Sequence, residues 1–533
     1  MRSGTVTVLS AIATTTFAVS CGLRILWCGL SSPPGIPSPP IPPHDGDGVV
    51  NRYIKRFFLQ HLYVLRKGES LFRLLEWARL FHHKPFATRI FFRSHIVISS
   101  AADLEEVLLR QEDSFCKRTG YDLLRLIIGD GLLAMGGKKK HAVHRRIFSE
   151  VFHSANIKGL ANEVMRLHVL RLLGTFFELV LRAGDGVVTI NIGDYTRRMA
   201  LSIVGDAAFR ASREDSEAAL EAFATLSKYE NMSFFCPYYR TRPQKEAEKV
   251  LMDLSNALLQ NANDGICSQR RVVLDALIDQ FYVQFNRNDV VNHLITFLFA
   301  GHDTTSNTLH FLFALVARDA RVQQRLYDEL EMIMPGLCTC PTVEELLECE
   351  YLVAVVREVM RLFPAAPLIY RDAEKDVILP ASGVMVPKGS VCMLSIFSVH
   401  RCEEIYGKDV DEFRPERWLG EEGRALRDRC GLCGYLPFST GRRNCIGKEY
   451  AHYEVLLTAA VVLRHLRLEA IGPFPRARFW FTISSPDPCR VKLIRRECIS
   501  CTCMAKNVRR LQGYGTAEVP ASICSDAVGH ALE

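Results

Sequence analysis

The chain lacks a long polar linker in its middle, a strong excess of one charge, and cysteines at the paired spacing of a zinc finger. Without a linker, the 533 residues are expected to form one large domain rather than several. A net charge of +7, dispersed along the chain, is too small to indicate a nucleic-acid partner. Cys430-x-x-Cys433 and Cys498-x-x-Cys501-x-Cys503 are closely spaced cysteine groups, and neither has a second pair at a finger-like distance, which disfavours zinc.

The N-terminal segment has the composition of a membrane anchor followed by a hinge. No charged residue occurs from Thr5 to Leu23, a run just long enough to span a bilayer. We therefore predict a membrane anchor over 1–30, and a cleaved targeting peptide is the alternative. Residues 31–48 contain the proline-rich run from Pro33 to Pro43, which excludes helix and strand and favours a stiff spacer next to a catalytic body.

The most informative stretch runs from Phe438 to Gly447 and contains one cysteine. Gly441 and Gly447 are expected to allow backbone conformations closed to other residues and to let a flat partner approach Cys445. Backbone N–H groups in such a turn favour a thiolate, Arg443 can bind a carboxylate of the partner, and Phe438 can shield the sulfur. A flat macrocycle that carries an iron and two carboxylates meets these demands. A Gly-rich surface loop with a buried structural cysteine is the alternative.

The pattern Phe438-x-x-Gly441-x-Arg443-x-Cys445-x-Gly447 resembles the heme-binding signature of the cytochrome P450 family. The resemblance implies that heme b is the cofactor and that Cys445 is the axial ligand of its iron, where a thiolate favours O–O cleavage. It also implies a mainly α fold with small β-sheets, in which a long central helix lies over the heme and the cysteine loop lies beneath it. The catalytic domain is then expected over 49–497. Residues 498–533 have no counterpart in the family and are expected to be disordered.

A long apolar helix is predicted from Asp289 to Ala317, with a polar motif inside it. Gly301 weakens a helix, and the hydroxyl of Thr304 can bond to the carbonyl of Ala300, so we expect one loosened turn. Such a turn beside a heme leaves room for O2 and ordered water. The motif resembles the oxygen-activating motif of the family, which implies that Asp303 and Thr304 are catalytic and pass protons inward, and that Ala300 lies at the heme. The alternative is a polar patch that joins helices by hydrogen bonds.

Three basic residues are predicted to meet the heme propionates. His141 and Arg145 are four residues apart and share one helix face, so both can donate to one propionate. Arg371 matches a position that often meets a propionate in the family. The neighbouring run Lys138–Lys140 is instead expected to be a solvated basic helix end, and the same interpretation is the alternative for His141 and Arg145.

One acidic and two basic residues resemble the structural lock of the family. Glu358 and Arg361 lie at i and i+3 on a predicted helix, where an exposed ion pair is common and weak. Arg417 follows in the segment Phe413–Trp418 and could complete a buried triad with them. By the resemblance, this triad would tie the thiolate loop to the core.

Short runs rich in β-branched and aromatic residues predict strands at two ends of the domain. Ala87–Phe92 and His95–Ser99 are predicted to belong to one small sheet. Phe479–Ile483 and Val491–Ile494 are predicted to form a terminal hairpin, with Ile483 near the substrate.

The resemblance implies a heme-thiolate monooxygenase that inserts one atom of O2 into a hydrophobic substrate of the fatty-acid, sterol or isoprenoid class. Electrons would come from NADPH through NADPH-cytochrome P450 reductase, or through a ferredoxin in an organelle. Arg442, Lys448 and Lys138–Lys140 could form a basic face for such an acidic partner. Membrane lipid is the other expected partner. The predicted location is the endoplasmic reticulum membrane with the catalytic domain in the cytosol, and a mitochondrial or plastid membrane is the alternative.

Two other functions stay open at the level of sequence. One is a heme-thiolate isomerase or dehydratase that acts on a hydroperoxide. It needs no proton relay, so the intact pair Asp303 and Thr304 disfavours it. The other is a non-catalytic heme-binding protein that binds gas or lipid.

Overall fold

A computed structural model describes residues 35–39, 70–90, 93–228, 241–263, 272–280, 283–333, 340–479 and 481–496. The predicted anchor at 1–30 and the predicted tail at 498–533 lie outside these residues. Within the described ranges, no helix combines the length and the apolar character needed to cross a membrane.

Helices make up most of the described chain. The helices of the N-terminal half are α1 (Ser70–Leu80), α2 (Ala101–Glu105), α3 (Asp122–Ile128), α4 (Lys138–Val151), α5 (Ser154–Leu160), α6 (Arg166–Arg182), α7 (Ile192–Phe209), α8 (Arg213–Lys228) and α9 (Arg242–Asn263). Those of the C-terminal half are α10 (Val273–Asp279), α11 (Arg287–Val316), α12 (Ala320–Ile333), α13 (Val343–Glu348), α14 (Glu350–Leu362), α15 (Ile396–Val399), α16 (Glu403–Tyr406), α17 (Gly420–Cys430) and α18 (Lys448–His465). Short π-helical segments, Glu106–Arg110 and Ala161–Met165, follow α2 and α5 directly.

The strands of the described residues form one five-stranded sheet and smaller sheets of two or three strands. They are β1 (Phe86–Ile90), β2 (Arg93–Ile98), β3 (Phe115–Cys116), β4 (Val187–Asn191), β5 (Leu368–Ala373), β6 (Val377–Leu379), β7 (Val384–Val386), β8 (Val391–Ser395), β9 (Leu466–Ala470), β10 (Arg478–Phe479), β11 (Ile483–Ser484) and β12 (Arg490–Arg495). The large sheet has the order β1-β2-β8-β5-β3, with β8 parallel to β2 and antiparallel to β5. This architecture confirms the predicted mainly α fold with small β-sheets.

The predicted pairing of the two C-terminal strands is wrong. β12 pairs antiparallel with β9 and β4, whereas β10 pairs with β11 to form a separate hairpin. Ile483 is fully buried, and it is Phe481 and Thr482 that line the central cavity. Successive side chains in an extended chain point to opposite faces, so Ile483 is buried while its neighbour Thr482 lines the cavity.

Helix α11 runs through the centre of the fold, and most of its side chains are buried. Asn286 caps its start, accepting a hydrogen bond from the N–H of Asp289 at 2.9 Å. The expected loosened turn is wrong, because the α-helix continues without a break from Arg287 to Val316. Gly301 instead allows a close approach of α7, since a Cβ at this position would lie 2.6 Å from Cγ2 of Val204.

The described part of the proline-rich hinge, residues 35–39, lies against the catalytic body. The N–H of Ala87 in β1 donates to the carbonyl of Pro37 at 2.8 Å, and the hydroxyl of Ser38 donates to the carbonyl of Ala87 at 2.8 Å. Ile36 is buried in the hydrophobic cluster beside the large sheet. This part of the predicted spacer is therefore docked on the domain that follows it.

Glu358 lies at the centre of a fully buried ion cluster between α14 and the segment before α17. Its carboxylate accepts two hydrogen bonds of 2.8 Å from the guanidinium of Arg361 and one of 2.9 Å from Nε of Arg417. The indole Nε1 of Trp418 and the N–H of Arg414 add bonds of 2.9 Å and 3.0 Å. Burial would raise the pKa of Glu358, but the two arginines outweigh it and lower that pKa. The carboxylate is therefore ionised and fully bonded in the core.

Candidate active site

A cavity of about 280 Å³ lies between α11, α4, β5 and the loop that precedes α18. Most of the predicted site residues line it: Cys445, Phe438, Arg443, Gly447, Ala300, Thr304, His141, Arg145 and Arg371. Gly441 and Asp303 are not part of its wall. The lock residues Glu358, Arg361 and Arg417 are buried in the core, away from the cavity wall. The structure therefore brings residues from both halves of the chain to one cavity.

Two backbone hydrogen bonds close the cysteine loop. The N–H of Cys445 donates to the carbonyl of Phe438 at 2.9 Å, and the N–H of Asn444 donates to the carbonyl of Gly441 at 3.1 Å. Gly441 has a φ of 74°, and a Cβ there would lie 2.3 Å from the carbonyl oxygen of Leu108. This glycine is therefore required by both conformation and space.

The expectation that Gly447 needs an unusual backbone is wrong. Its φ is −90°, and a Cβ there would make an ordinary contact of 3.5 Å with Phe152. The second unusual conformation of the loop belongs to Ser439, whose φ is 57° although it is not a glycine. Strain of this kind costs a non-glycine residue about 1 kcal/mol or more and is concentrated at functional sites.

Cys445 presents its sulfur to the cavity. It is exposed by surface area, yet burial still raises the pKa of its thiol, because the exposed surface lies within the cavity. The backbone N–H of Gly447 and the charge of Arg145 oppose this rise. The loop thus supplies donors for an anionic sulfur, and a metal ion on the cavity side would stabilise the thiolate further.

Four cations line one edge of the cavity and have no carboxylate partner within the described residues. They are Lys117, Arg145, Arg371 and Arg443, whose hydrogen bonds go to carbonyl groups and to the side chain of Asn444. Burial and the charge of Arg371 lower the pKa of Arg443 to about 10. Burial and the neighbouring arginines lower the pKa of Lys117 well below its usual range. A dianionic partner would relieve this repulsion.

His141 lies beside these cations as a neutral imidazole. Burial, together with the charges of Arg443 and Lys117, lowers its pKa to about 2. It shares one face of α4 with Arg145, and both line the cavity, as the four-residue spacing predicts. His141 can therefore donate one hydrogen bond to an anion at this edge without adding a charge.

Lys117 is the cavity cation that no sequence motif indicated. It follows β3, is 6% exposed, and its ammonium group donates to the carbonyl of Leu133 at 3.1 Å. The same group lies 4.5 Å from the ring centroid of Tyr121. A buried lysine held by one carbonyl and one ring retains donors for a ligand anion.

The residues present fit a heme. A thiol and a helix with small residues both line the cavity, and cations without a carboxylate partner mark the edge where two propionates would lie. Among the described residues, no cluster of His, Cys, Asp and Glu could hold a metal ion by itself.

Helix α11 forms another part of the cavity wall. The hydroxyl of Thr304 faces the cavity and donates to the carbonyl of Ala300 at 2.8 Å, as the motif predicts. Asp303 lies one position away and accepts a hydrogen bond of 2.6 Å from the hydroxyl of Thr482 in the β10–β11 hairpin. Sequence analysis did not anticipate Thr482, because 179 positions separate the two residues.

His400 connects the ion cluster of Glu358 to the cysteine loop. Its Nδ1 donates to the carbonyl of Arg361 at 3.2 Å, and its Nε2 accepts from the N–H of Leu436 at 2.7 Å. Burial lowers the pKa of His400 to about 3, and the charge of Arg361 adds to this effect. The neutral ring has one defined tautomer and holds the start of the loop against α14.

Comparison with known proteins agrees with this site. The cytochrome P450 family model matches residues 55–480, and the chain belongs to this family. Cytochrome P450 4e2 of Drosophila melanogaster is 27% identical over 432 residues, covering 75% of this chain and 79% of that protein. Cytochrome P450 734A1 of Arabidopsis thaliana is 29% identical over 393 residues, covering 70% and 73%. Cytochrome P450 4e5, mitochondrial, of Drosophila mettleri is 26% identical over 428 residues, covering 74% and 79%.

Family membership establishes the general chemistry. The protein is a monooxygenase of the heme-thiolate class that uses heme b, O2 and electrons derived from NADPH. It needs a redox partner to deliver those electrons. The roles of its individual residues and its substrate are matters for proposal.

Proposed function

We propose that this monooxygenase inserts oxygen into a C–H or C=C bond of a fatty acid, a sterol or an isoprenoid. The observation that carries the proposal is the apolar wall of the cavity on the α11 side. Its side chains include Leu132, Val204, Ala207, Phe297, Leu368 and Phe481. Such a wall binds a hydrophobic molecule by excluding water and offers few polar groups to a hydrophilic one.

Each predicted site residue then has a definite task. Cys445 would ligate the heme iron, Phe438 would shield the sulfur, and Gly441 gives the loop its turn. His141, Arg145, Arg371 and Arg443 would hold the propionates, and Lys117, which lines the same cavity, would join them. When bound, the heme supplies an iron at which O2 is reduced by two electrons from NADPH.

Proton delivery is assigned to two neighbours on α11. Thr304 presents its hydroxyl to the cavity next to Ala300, where an ordered water can bridge it to the reacting oxygen. Asp303 supplies protons from outside the cavity wall. The two residues together move a proton inward while the apolar wall excludes bulk water.

A spectral titration tests the substrate class. Saturable type I spectral changes are expected with at least one of a fatty acid, a sterol and an isoprenoid alcohol, because each can displace water from the apolar cavity. A sugar glycoside of similar size serves as the control and is expected to give no change. If none of the three lipids gives a saturable change, the proposed substrate class is wrong.

Thr304→Ala tests the relay. Product formed per NADPH is expected to fall by about tenfold or more, the scale of one general acid–base group, while peroxide rises. Thr175→Ala, which removes a hydroxyl that donates to the carbonyl one turn earlier in α6 and lies outside the cavity wall, is the matched control. Unchanged coupling in Thr304→Ala would exclude the relay. Conversion of a hydroperoxide without NADPH would instead support an isomerase or dehydratase.

The N-terminal segment indicates the cellular setting that we propose for the enzyme. Residues 1–30 would anchor it in the endoplasmic reticulum membrane, or in a mitochondrial membrane if the segment is a targeting peptide. The electron donor would be NADPH-cytochrome P450 reductase in the first case and a ferredoxin in the second.

The expected basic docking face is smaller than predicted. Lys138 pairs with Glu374, Lys140 with Asp289, and Arg442 with Asp113, so carboxylates neutralise most of the predicted cations. Lys448 is exposed at the start of α18 and is still available to an acidic partner.

A further inference from the structure

The β10–β11 hairpin reaches the cavity and contacts the proton relay at the same residue. Thr482 lines the cavity, and its hydroxyl donates to Oδ2 of Asp303 at 2.6 Å. Both side chains are half-buried. A hydrogen bond that a hydroxyl donates to a carboxylate is stronger than one between two neutral groups. Such a bond fixes the orientation of the carboxylate that accepts it.

The position of Thr482 is set by contacts within the hairpin and by one backbone contact with the cavity wall. β10 and β11 pair through Phe479 and Ile483, and the N–H of Ile483 donates to the carbonyl of Ala365 in the cavity wall at 2.9 Å. At the base of the hairpin, the guanidinium of Arg476 bonds to Asp487 at 2.8 Å. The hairpin therefore holds the Thr482 hydroxyl in place from both sides.

We propose that Thr482 is the positioning residue for Asp303 and that it couples occupation of the cavity to proton delivery. Its hydroxyl occupies Oδ2, which leaves Oδ1 of Asp303 to bind the water or hydroxyl that hands a proton toward Thr304. A substrate that contacts the hairpin at Phe481 and Thr482 holds this arrangement closed, and one that displaces the hairpin releases the carboxylate. The inference rests on the proposed relay role of Asp303 and Thr304.

Two competing reactions provide the measurement. The productive reaction converts substrate RH, O2, NADPH and one proton into ROH, water and NADP⁺. The leak converts O2, NADPH and one proton into H2O2 and NADP⁺. Each reaction consumes one NADPH. The ratio of peroxide formed to NADPH consumed therefore measures the fraction of turnovers in which O2 leaves as peroxide and is not split.

Thr482→Val, which keeps the shape and removes the hydroxyl, is expected to raise the peroxide fraction by roughly two- to tenfold, the effect of one hydrogen bond. The dissociation constant of the substrate is expected to change less than about twofold, since an apolar wall gains a methyl group. Thr482→Ser retains the donor and is expected to restore the coupling. Thr175→Val, which makes the same substitution at a hydroxyl of α6 outside the cavity wall, is expected to leave the peroxide fraction unchanged.

A double-mutant cycle separates positioning from a general effect on the hairpin. In an Asp303→Asn background, Thr482→Val is expected to have no further effect on the peroxide fraction. A crystal structure of Thr482→Val is expected to show the Asp303 carboxylate turned away from its present orientation, a result that does not depend on turnover.

The outcomes distinguish the two levels of the proposal. If Asp303→Asn and Thr304→Ala leave the peroxide fraction unchanged, the relay is wrong and the role of Thr482 is wrong with it. If those variants leak peroxide and Thr482→Val does not, only the positioning role is wrong. An equal effect of Thr482→Val with and without the carboxylate would show that the hairpin acts elsewhere. Thermal unfolding of every variant identifies any change in the peroxide fraction that comes from misfolding. If Thr482→Val is misfolded, Thr482→Ala replaces it in the double-mutant cycle.

Discussion

Cys445→Ser is expected to lose more than about 100-fold of its monooxygenase activity, since even residues that merely support a metal ligand contribute up to that factor. The ligand must lose its proton, and a serine hydroxyl does so far less readily than a thiol. The loop around it is held by backbone bonds to Phe438 and Gly441, so the fold is expected to survive the change. The loss would then reflect the ligand alone.

The spectrum of the reduced carbon-monoxide complex is the measurement for this variant, together with heme content and circular dichroism. Cys430→Ser is the matched control. Cys430 is a buried thiol that donates to the hydroxyl of Tyr406 at 3.7 Å, a contact that a serine can also make. This control is expected to keep a thiolate-type spectrum. If Cys445→Ser kept that spectrum, the assignment of the axial ligand would be overturned.

Glu358→Gln is expected to lower the free energy of unfolding by about 3–5 kcal/mol, the cost of removing one partner from a buried ion cluster. Arg361 would keep its charge in the core without its carboxylate partner, Arg417 would retain only the longer contact of 3.3 Å to Asp409, and both arginines are essentially unexposed. Urea denaturation followed by circular dichroism measures the change. Glu422→Gln removes the partner of Arg414 in a partly exposed pair and is expected to cost less than about 1 kcal/mol. Equal costs for the two variants would contradict the structural role of the cluster.

The same cluster predicts how stability depends on pH. The arginines lower the pKa of Glu358 despite its burial, so its contribution is present above the unfolded-state value of about 4.3 and is lost as pH falls below it. The urea midpoint of the unaltered protein is therefore expected to fall as the pH is lowered from about 6 to below the unfolded-state pKa. The midpoint of Glu358→Gln is expected to fall less over the same range. Similar slopes in both proteins would assign the acid sensitivity to other carboxylates.

The local geometry that sequence analysis could anticipate involves residues close together in the chain. Phe438, Gly441 and Arg443 lie within seven positions of Cys445, so the chemistry of the loop can be inferred before any tertiary contact is known. The hydroxyl of Thr304 reaches the carbonyl of Ala300 because four residues make about one helical turn. Such inferences depend on local geometry alone.

The parts that were missed depend on contacts between distant segments. Lys117, His400 and Thr482 belong to no recognisable motif and obtain their roles from partners far away in the chain. The pairing of β12 with β4 is an example in the fold. A hairpin with the preceding strand would close a shorter loop, but β12 pairs with a strand that lies about 300 residues earlier. Local pattern carries no information about such a choice.

The order of strands in the large sheet has a consequence for the folding of the protein during its synthesis. β2 pairs with β8, which lies about 300 residues further along, so a ribosome that adds roughly 5–20 residues per second makes β2 roughly 15–60 s before the strand that covers its edge. An uncovered edge can recruit strands from other chains. The nascent chain therefore carries an aggregation-prone edge for most of its synthesis, and the catalytic domain can close only after nearly all of it has emerged.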